Sequence, residues 1–264
     1  MRENTFLTPE KARELGLAFD EPKPMRCRWC GKELKPLGAE FLGRVRWVTT
    51  EPCGCEGERA EQERVEREEL REKEAKVARK VAAAGIARRF AGARTSIPEV
   101  VRFLADFDPH GGGGLYIHGR VGSGKTHAAS ALARALVYAD ASVVMTTTLD
   151  MLDSIQATYG RGASTAGGVG RFTGCDLLIL DDLGKENGNS WALTTVFQVV
   201  NARYEDMRPI VVTSQYMPAT LARRLGRAGE LESAEAIASR LAEMCTPVPL
   251  PDLDRRRMKQ GART

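Results

Sequence analysis

Long apolar runs are missing from this sequence. No window of its 264 residues approaches the roughly 20 consecutive apolar residues that a membrane-spanning helix needs, so no membrane partner is expected. An export leader is not apparent either. The first 19 residues carry Glu3, Glu10 and Glu14 and hold no apolar core of the secretory kind, so a cytoplasmic location is expected. No charge of one sign dominates: 39 basic and 35 acidic residues leave +4, which argues neither for nor against a polyanionic partner. Internal repeats are absent. What is present, 42% apolar and 28% charged residues, is ordinary globular composition and excludes global disorder. The length suits one large domain and one small one.

Six cysteines are present, and four fall in two close pairs, Cys27/Cys30 and Cys53/Cys55. Without an export signal, such pairs read as metal ligands before they read as disulfides. Cys27-Arg-Trp-Cys30-Gly-Lys has the form of a zinc knuckle, the glycine allowing a tight turn around a tetrahedral ion. The second pair has one intervening residue, a tighter turn that Gly54 relieves. Four thiolates close the coordination of Zn²⁺, so this module should bind and not catalyse. Free structural cysteines are the plainer alternative. Cys175 and Cys245 have no sequence partners and are expected to pack in the core.

Around the cysteines, Thr8-Pro9-Glu10 is a helix start, with an end near Gly16. Phe41 to Val48 alternates apolar and basic residues as one strand. Trp29 and Trp47 are the candidates to fill a small core. From Glu56 to about Ala84 the chain is dense in Glu, Arg and Lys, with i,i+4 pairs such as Glu63/Arg67, Glu69/Lys73 and Glu72/Lys76. A solvated linker helix ending at Gly85 is the simplest reading, with a partner-binding helix as the alternative. Its apolar seam is too irregular for heptads.

Beyond Ala87, apolar strands alternate with helices: strands at 114–118, 142–146, 176–180 and 209–213, helices at 125–139, 149–159, 190–206 and from about Ser233. Apolar strands separated by helices imply an α/β fold whose parallel sheet is covered on both faces. The glycine-rich run from Gly160 to Gly174 reads as a mobile loop.

Gly119-Arg-Val-Gly-Ser-Gly-Lys-Thr126 fits G-x-x-x-x-G-K-[ST] and lies between an expected strand and helix, the context that motif requires. Gly119, Gly122, Ser123 and Gly124 would cradle phosphates with backbone N–H groups, and His127 follows on the helix. Lys125 would reach the β- and γ-phosphates of ATP and the Thr126 hydroxyl would ligate Mg²⁺. Leu177-Leu-Ile-Leu-Asp181-Asp182 delivers two carboxylates to the ligand-binding edge of the sheet. Asp181 would hold Mg²⁺ through water; Asp182 would orient or deprotonate the attacking water. Thr213-Ser214-Gln215 ends the next strand at the same edge, either as a simple turn or with Gln215 near the γ-phosphate. Arg240, in Ser239-Arg-Leu241, is either an exposed helix charge or a reach into a neighbouring subunit.

Together, the P-loop, Leu180-Asp-Asp-Leu-Gly184, Trp191-Ala192, Asn201-Ala-Arg-Tyr204, Val212-Thr-Ser214 and Ser239-Arg-Leu241 resemble the DnaC/IstB family of AAA+ ATPases, over roughly Ile86 to Arg256. The resemblance implies an AAA+ P-loop NTPase core with a reduced helical lid in the residues after Tyr216. It also implies self-association in the ATP state and single-stranded DNA binding by the assembled form. Arg240 matches the arginine finger, and Arg255, beside Arg256, falls where a sensor-2 arginine is expected. Two positions depart from most AAA+ proteins: Gln215 stands near the usual sensor-1 asparagine, and Asp182 replaces the catalytic glutamate, implying slow, switch-like hydrolysis.

The domain expectation is therefore 1–57, a zinc-ribbon-like adaptor; 58–85, a charged helical linker; and 86–264, the AAA+ ATPase. Some bacterial and phage helicase loaders resemble this layout, which implies a loader that grips a replicative helicase hexamer and places it on single-stranded DNA. An IstB-like transposition helper acting on duplex DNA with a transposase is the alternative; a small-molecule kinase and an ATP-dependent DNA-binding regulator fit less well. The basic stretch Arg255-Arg-Arg-Met-Lys259 with Arg263 suits either phosphate contacts or a solvated tail.

Overall fold

The computed structural model describes residues 6–159, 165–185, 189–228 and 231–254. The chain divides into two compact units, residues 1–74 and 75–264.

In the first unit, α1 (Pro9–Glu14) starts as its sequence dictates: Thr8 Oγ1 accepts from the Lys11 N–H and Pro9 sits where a missing N–H costs nothing. Strands β1 (Ala18–Phe19), β2 (Met25–Arg26) and β3 (Glu33–Leu34) are short, and β2 and β3 form an antiparallel pair. The strand expected over 41–48 is two strands, β4 (Pro36–Phe41) and β5 (Arg44–Thr50). The chain reverses at Leu42-Gly43, where both residues take positive φ, +53° and +76°, as a two-residue hairpin turn demands. The alternation was real, but Gly43 marked a turn inside it. Sheet order is β1-β5-β4. Trp47 covers the buried Val45 side, stacked edge-on against Phe19 with centroids 5.4 Å apart, its indole N–H donating to the Asp20 carbonyl at 2.7 Å. The helix α2 (Glu56–Ala83) carries surface ion pairs, Arg64 bridging Glu61 and Glu68, and leaves Val65 and Leu70 exposed.

In the second unit, the end of α2 buries Val81 beside Ala84 and Ile86. There follow α3 (Pro98–Ala105), β6 (Gly114–His118), α4 (Lys125–Tyr138), β7 (Val143–Thr147), α5 (Thr148–Tyr159), α6 (Thr165–Gly174) and β8 (Leu177–Leu183). After them come α7 (Ser190–Glu205), β9 (Ile210–Ser214), α8 (Pro218–Leu225), α9 (Leu231–Met244) and β10 (Cys245–Pro249). The sheet is wholly parallel in the order β10-β6-β9-β8-β7. The pleat sorts its side chains: Leu178 and Leu180 join α5, α7 and α9 on one face, while Leu177 and Ile179 join α3 and α4 on the other. Cys175 and Cys245 are buried in the first of these clusters, as expected of packing cysteines. Among the described residues, no helix is long and apolar enough to cross a membrane.

Two further expectations are corrected. The glycine-rich run is not a loop from 165 onward: α6 forms there, with Phe172 in the core. Its glycine at 168 serves proximity, since a Cβ there would stand 2.7 Å from Thr158 Oγ1 of α5. The rest of the expected loop, 160–164, lies outside the described residues. The segment expected as a reduced lid folds onto the sheet instead. Leu221, Leu225, Ala234, Ile237 and Leu241 of α8 and α9 enter the core, and β10 is a fifth strand paired with β6. Pro247 and Pro249 hid that strand; at a sheet edge their missing N–H groups leave no partner unsatisfied.

Candidate nucleotide site and cysteine cluster

The phosphate loop joins the C-terminal end of β6 to the first turn of α4. Strand β6 lies between β9 and β10 and the chain leaves it for the far edge strand β7, so the loop opens at the point where strand order reverses. Gly122 and Gly124 take φ of +86° and +102°, conformations that a side chain would strain, and a Cβ at Gly122 would run into the Asp254 carboxylate. The buried Lys125 ammonium donates to the Gly119 and Arg120 carbonyls at 2.8 and 3.0 Å. Ser123 is buried with a hydroxyl that meets no hydrogen-bond partner among the described residues. An orphan hydroxyl in a loop of left-handed glycines at a helix N-terminus is a cradle suited to a phosphate anion.

Strand β8 carries Asp181 and Asp182 to the same edge with different surroundings. Asp181 is buried and accepts from Thr126 Oγ1 at 3.0 and 3.1 Å and from Thr213 Oγ1 at 2.6 Å. Burial holds its pKa above the usual carboxylate value against the pull of those hydroxyls. Thr126 and Asp181, expected to serve the magnesium ion, are thus already side by side, and a hydroxyl with a carboxylate is a donor set suited to Mg²⁺. Asp182 takes φ +60°; its N–H donates to Thr213 Oγ1 at 2.9 Å and its carboxylate pairs with Lys185 at 2.6 Å.

A cavity of about 340 Å³ opens beside these groups, lined by Gly122, Gly124, Lys125, Thr126, His127, Asp182 and Gln215. That volume is in the range of small-ligand sites. Three further wall residues, Arg89, Phe90 and Lys185, were not read from the sequence. Arg89 and Phe90 lie on a 3-10 turn at Arg88–Phe90, remote in the chain from any motif, and Phe90 meets His127 edge-on at 6.2 Å. Lys185 directly follows the Leu-Asp-Asp-Leu-Gly run, the one signal that could have found it.

Arg240 is not among the residues lining this cavity. It is held on α9 against α7, where its Nε donates to Asn201 Oδ1 at 2.6 Å and its guanidinium lies over Phe197 and Tyr204, 4.8 and 5.6 Å from the ring centroids. Two residues of the Asn-x-Arg-Tyr element therefore cradle Arg240. The third, Arg203, is fully buried and donates to the carbonyls of Phe172, Cys175 and Pro209, tying the end of α6 to the starts of β8 and β9. Arg255, Arg256, Lys259 and Arg263 lie outside the described residues.

In the first unit the sulfurs of Cys27, Cys30, Cys53 and Cys55 all lie within 4.8 Å of one another, with Cys27–Cys55 at 3.7 Å and Cys30–Cys53 at 3.3 Å. A tetrahedral zinc with Zn–S of about 2.3 Å needs sulfurs about 3.8 Å apart, so the cluster fits the ion. Backbone N–H groups of Cys30 and then Trp29 draw the Cys27 thiol down to about 7, toward the thiolate a metal binds. The neighbouring Cys30 sulfur pushes Cys53 up to about 12. Gly31 and Gly54 take φ of +73° and +69°, the turns each pair requires. Trp29 lies against Gly57, whose lack of a side chain makes room for the indole.

Comparison with known proteins agrees with this geometry. The family described as IstB-like ATP binding protein matches residues 112–262. An insertion-sequence ATP-binding protein of Sinorhizobium fredii is 31% identical over 103 residues, 39% of this chain and 34% of that protein. The replicative helicase loader DnaC of Escherichia coli is 24% identical over 119 residues, 45% of this chain and 48% of that one. The chain thus spans a third to a half of the length of these relatives. Among solved structures, the DnaC helicase loader superposes with a TM-score of 0.54 at 24% identity, covering 62% of this chain and all of that chain. DnaI gives 0.55 at 21%, covering 62% and 94%. These likenesses show the fold, a parallel five-stranded sheet flanked by helices as in DnaC and DnaI. With the family match covering more than half of its residues, the chain belongs to the IstB-like ATP-binding proteins.

Proposed function

We propose that this chain is an ATP-hydrolysing switch that loads a replicative helicase hexamer onto single-stranded DNA. The observation that carries the reading is the pairing of a phosphate cradle and Asp181/Asp182 edge with a separate four-cysteine module ahead of it. Zinc held by Cys27, Cys30, Cys53 and Cys55 would staple a unit whose own core is too small to hold a fixed surface, and that surface would grip the helicase.

In the ATPase unit, Lys125 would leave the loop carbonyls for the β- and γ-phosphates. Mg²⁺, held by Thr126 and through water by Asp181, would supply charge neutralisation at those phosphates. Asp182 would take the proton of a water whose oxygen attacks the γ-phosphorus as the bond to the β–γ bridging oxygen breaks and ADP leaves. Gln215 would position that water. Arg240, preorganised by Asn201, Phe197 and Tyr204, would act on a neighbouring subunit's nucleotide, coupling hydrolysis to assembly. Arg255 would serve as sensor 2.

The second reading, a transposition helper acting on duplex DNA, is favoured by the family match and by the Sinorhizobium relative. The four-cysteine module favours the loader. Anisotropy of labelled single-stranded and duplex oligonucleotides, with size measured by light scattering, separates the two. The loader reading expects ATP-dependent assembly on single strands, lost in Lys125→Ala, and assembly without hydrolysis in Arg240→Ala. Stronger ATP-dependent assembly on duplex would move the choice to the helper.

A further inference from the structure

We propose that Lys185 is a brake on hydrolysis, its ammonium tethering the Asp182 carboxylate away from the attacking water. The inference rests on the proposed role of Asp182 as proton acceptor. Asp181 and Asp182 are adjacent, yet they are held by unlike groups. Asp181 is held by two neutral hydroxyls, Thr126 and Thr213, that leave it available to a cation. Asp182 is held by a cation of its own chain, with Lys185 Nζ 2.6 Å from Oδ2.

That contact is built by the backbone. After β8 the chain turns sharply, with Asp182 at φ +60° and Gly184 at φ +93°, and the Lys185 N–H donates back to the Asp182 carbonyl at 3.3 Å. Thr213 Oγ1 pins the Asp182 N–H at 2.9 Å, so the carboxylate pivots about a fixed backbone while the ammonium returns over it. Lys185, Asp182 and Gln215 all line the cavity that also holds Lys125 and Thr126, so the pair belongs to the proposed nucleotide site. A carboxylate bonded to an ammonium has one oxygen occupied and its orientation set by that contact, so it is not free to turn toward the water. Lys185 is about half exposed, and a partly exposed ion pair is weak enough to open, so it slows the reaction without abolishing it. Proton and phosphate bookkeeping is unchanged: the water's proton still passes to Asp182 when the pair opens. Lys185 therefore acts through Asp182, as a positioning residue.

The test is steady-state ATP turnover by the full chain with Mg²⁺, comparing the natural protein with Lys185→Met, Lys185→Arg, Asp182→Asn and the Lys185→Met/Asp182→Asn double variant. Binding of a fluorescent ATP analogue in EDTA is measured in parallel. The brake predicts that Lys185→Met raises kcat about fivefold, the rate equivalent of a weak ion pair, while KM and analogue affinity stay within twofold. Lys185→Arg restores the slow rate, and the double variant falls to the level of Asp182→Asn. An unchanged or lower kcat in Lys185→Met overturns the brake. Weakened analogue binding in EDTA also overturns it, because the ammonium would then be serving the phosphates. If Asp182→Asn alone hydrolyses at the natural rate, the Asp182 reading fails and the brake with it. If Asp182→Asn is inactive while Lys185→Met is not accelerated, only the brake fails.

Discussion

Replacing Arg203 with methionine should cost the second unit about 3 kcal/mol. Its guanidinium is fully buried and meets carbonyls, with Pro209 at 2.6 Å, Phe172 at 2.9 Å and Cys175 at 3.1 Å as the shortest contacts. Hydrogen bonds from a charged donor contribute about 1.5–3 kcal/mol each, so three of them give roughly 4.5–9 kcal/mol. Taking a guanidinium out of water opposes this by several kcal/mol, and burial accordingly pulls its pKa down. About 3 kcal/mol remains once methionine fills the volume and leaves the carbonyls bare. For a unit of this size that corresponds to a fall in Tm of roughly 6–12 °C. Arg203→Lys should recover less than half, because a point ammonium cannot span the Pro209 and Cys175 carbonyls together. Urea denaturation followed by circular dichroism, with melts alongside, measures both. A loss below about 1 kcal/mol for Arg203→Met would refute the reasoning and recast the arginine as a tolerated buried charge.

Two more predictions concern metal and pH. The purified chain should carry one zinc, and Cys30→Ser should lose it together with the near-ultraviolet signal of Trp29, while ATP-analogue binding at Lys125 persists; a variant that keeps stoichiometric zinc by mass spectrometry would contradict the four-thiolate site. Asp176 accepts from the Ser142 N–H at 2.8 Å, and that bond holds its carboxyl below the ordinary 3.8. Its contribution is therefore fully present above pH 3.8 and lost as pH falls through the lowered value. Asp176→Asn should reduce Tm at pH 7, with the gap to the natural protein closing below pH 3.8; a gap constant over that range would refute it.

The core architecture was legible because four of the five strands of the larger sheet advertised themselves. Leu177–Leu180 and Ile210–Val212 are continuous apolar runs, and only a strand buried on both faces has use for one. The phosphate loop was equally plain, since left-handed turns at 122 and 124 leave glycine as the residue of choice. What stayed hidden has physical reasons. Strand β10 reads as Cys-Thr-Pro-Val-Pro, and only its edge position makes two prolines tolerable. Helix α6 is rich in glycine, and its order comes from contacts distant in sequence: Thr158 beside Gly168, and the Arg203 guanidinium on its last carbonyls. Arg89 and Phe90 reach the cavity through tertiary folding alone. The Asn-x-Arg-Tyr element was visible as a pattern; that Asn201 and Tyr204 cradle Arg240 while Arg203 braces the sheet follows from how α7 packs against α9 and the sheet.

The most direct test is to mix the zinc-loaded full chain with ATP, Mg²⁺, a replicative helicase hexamer and labelled single-stranded DNA, and to weigh the complexes by mass photometry. The loader reading predicts a complex of chain and helicase that needs the zinc, and transfer of helicase to single-stranded DNA that needs ATP and fails with Lys125→Ala. No helicase complex with zinc bound, together with ATP-dependent filaments on duplex DNA, would contradict it.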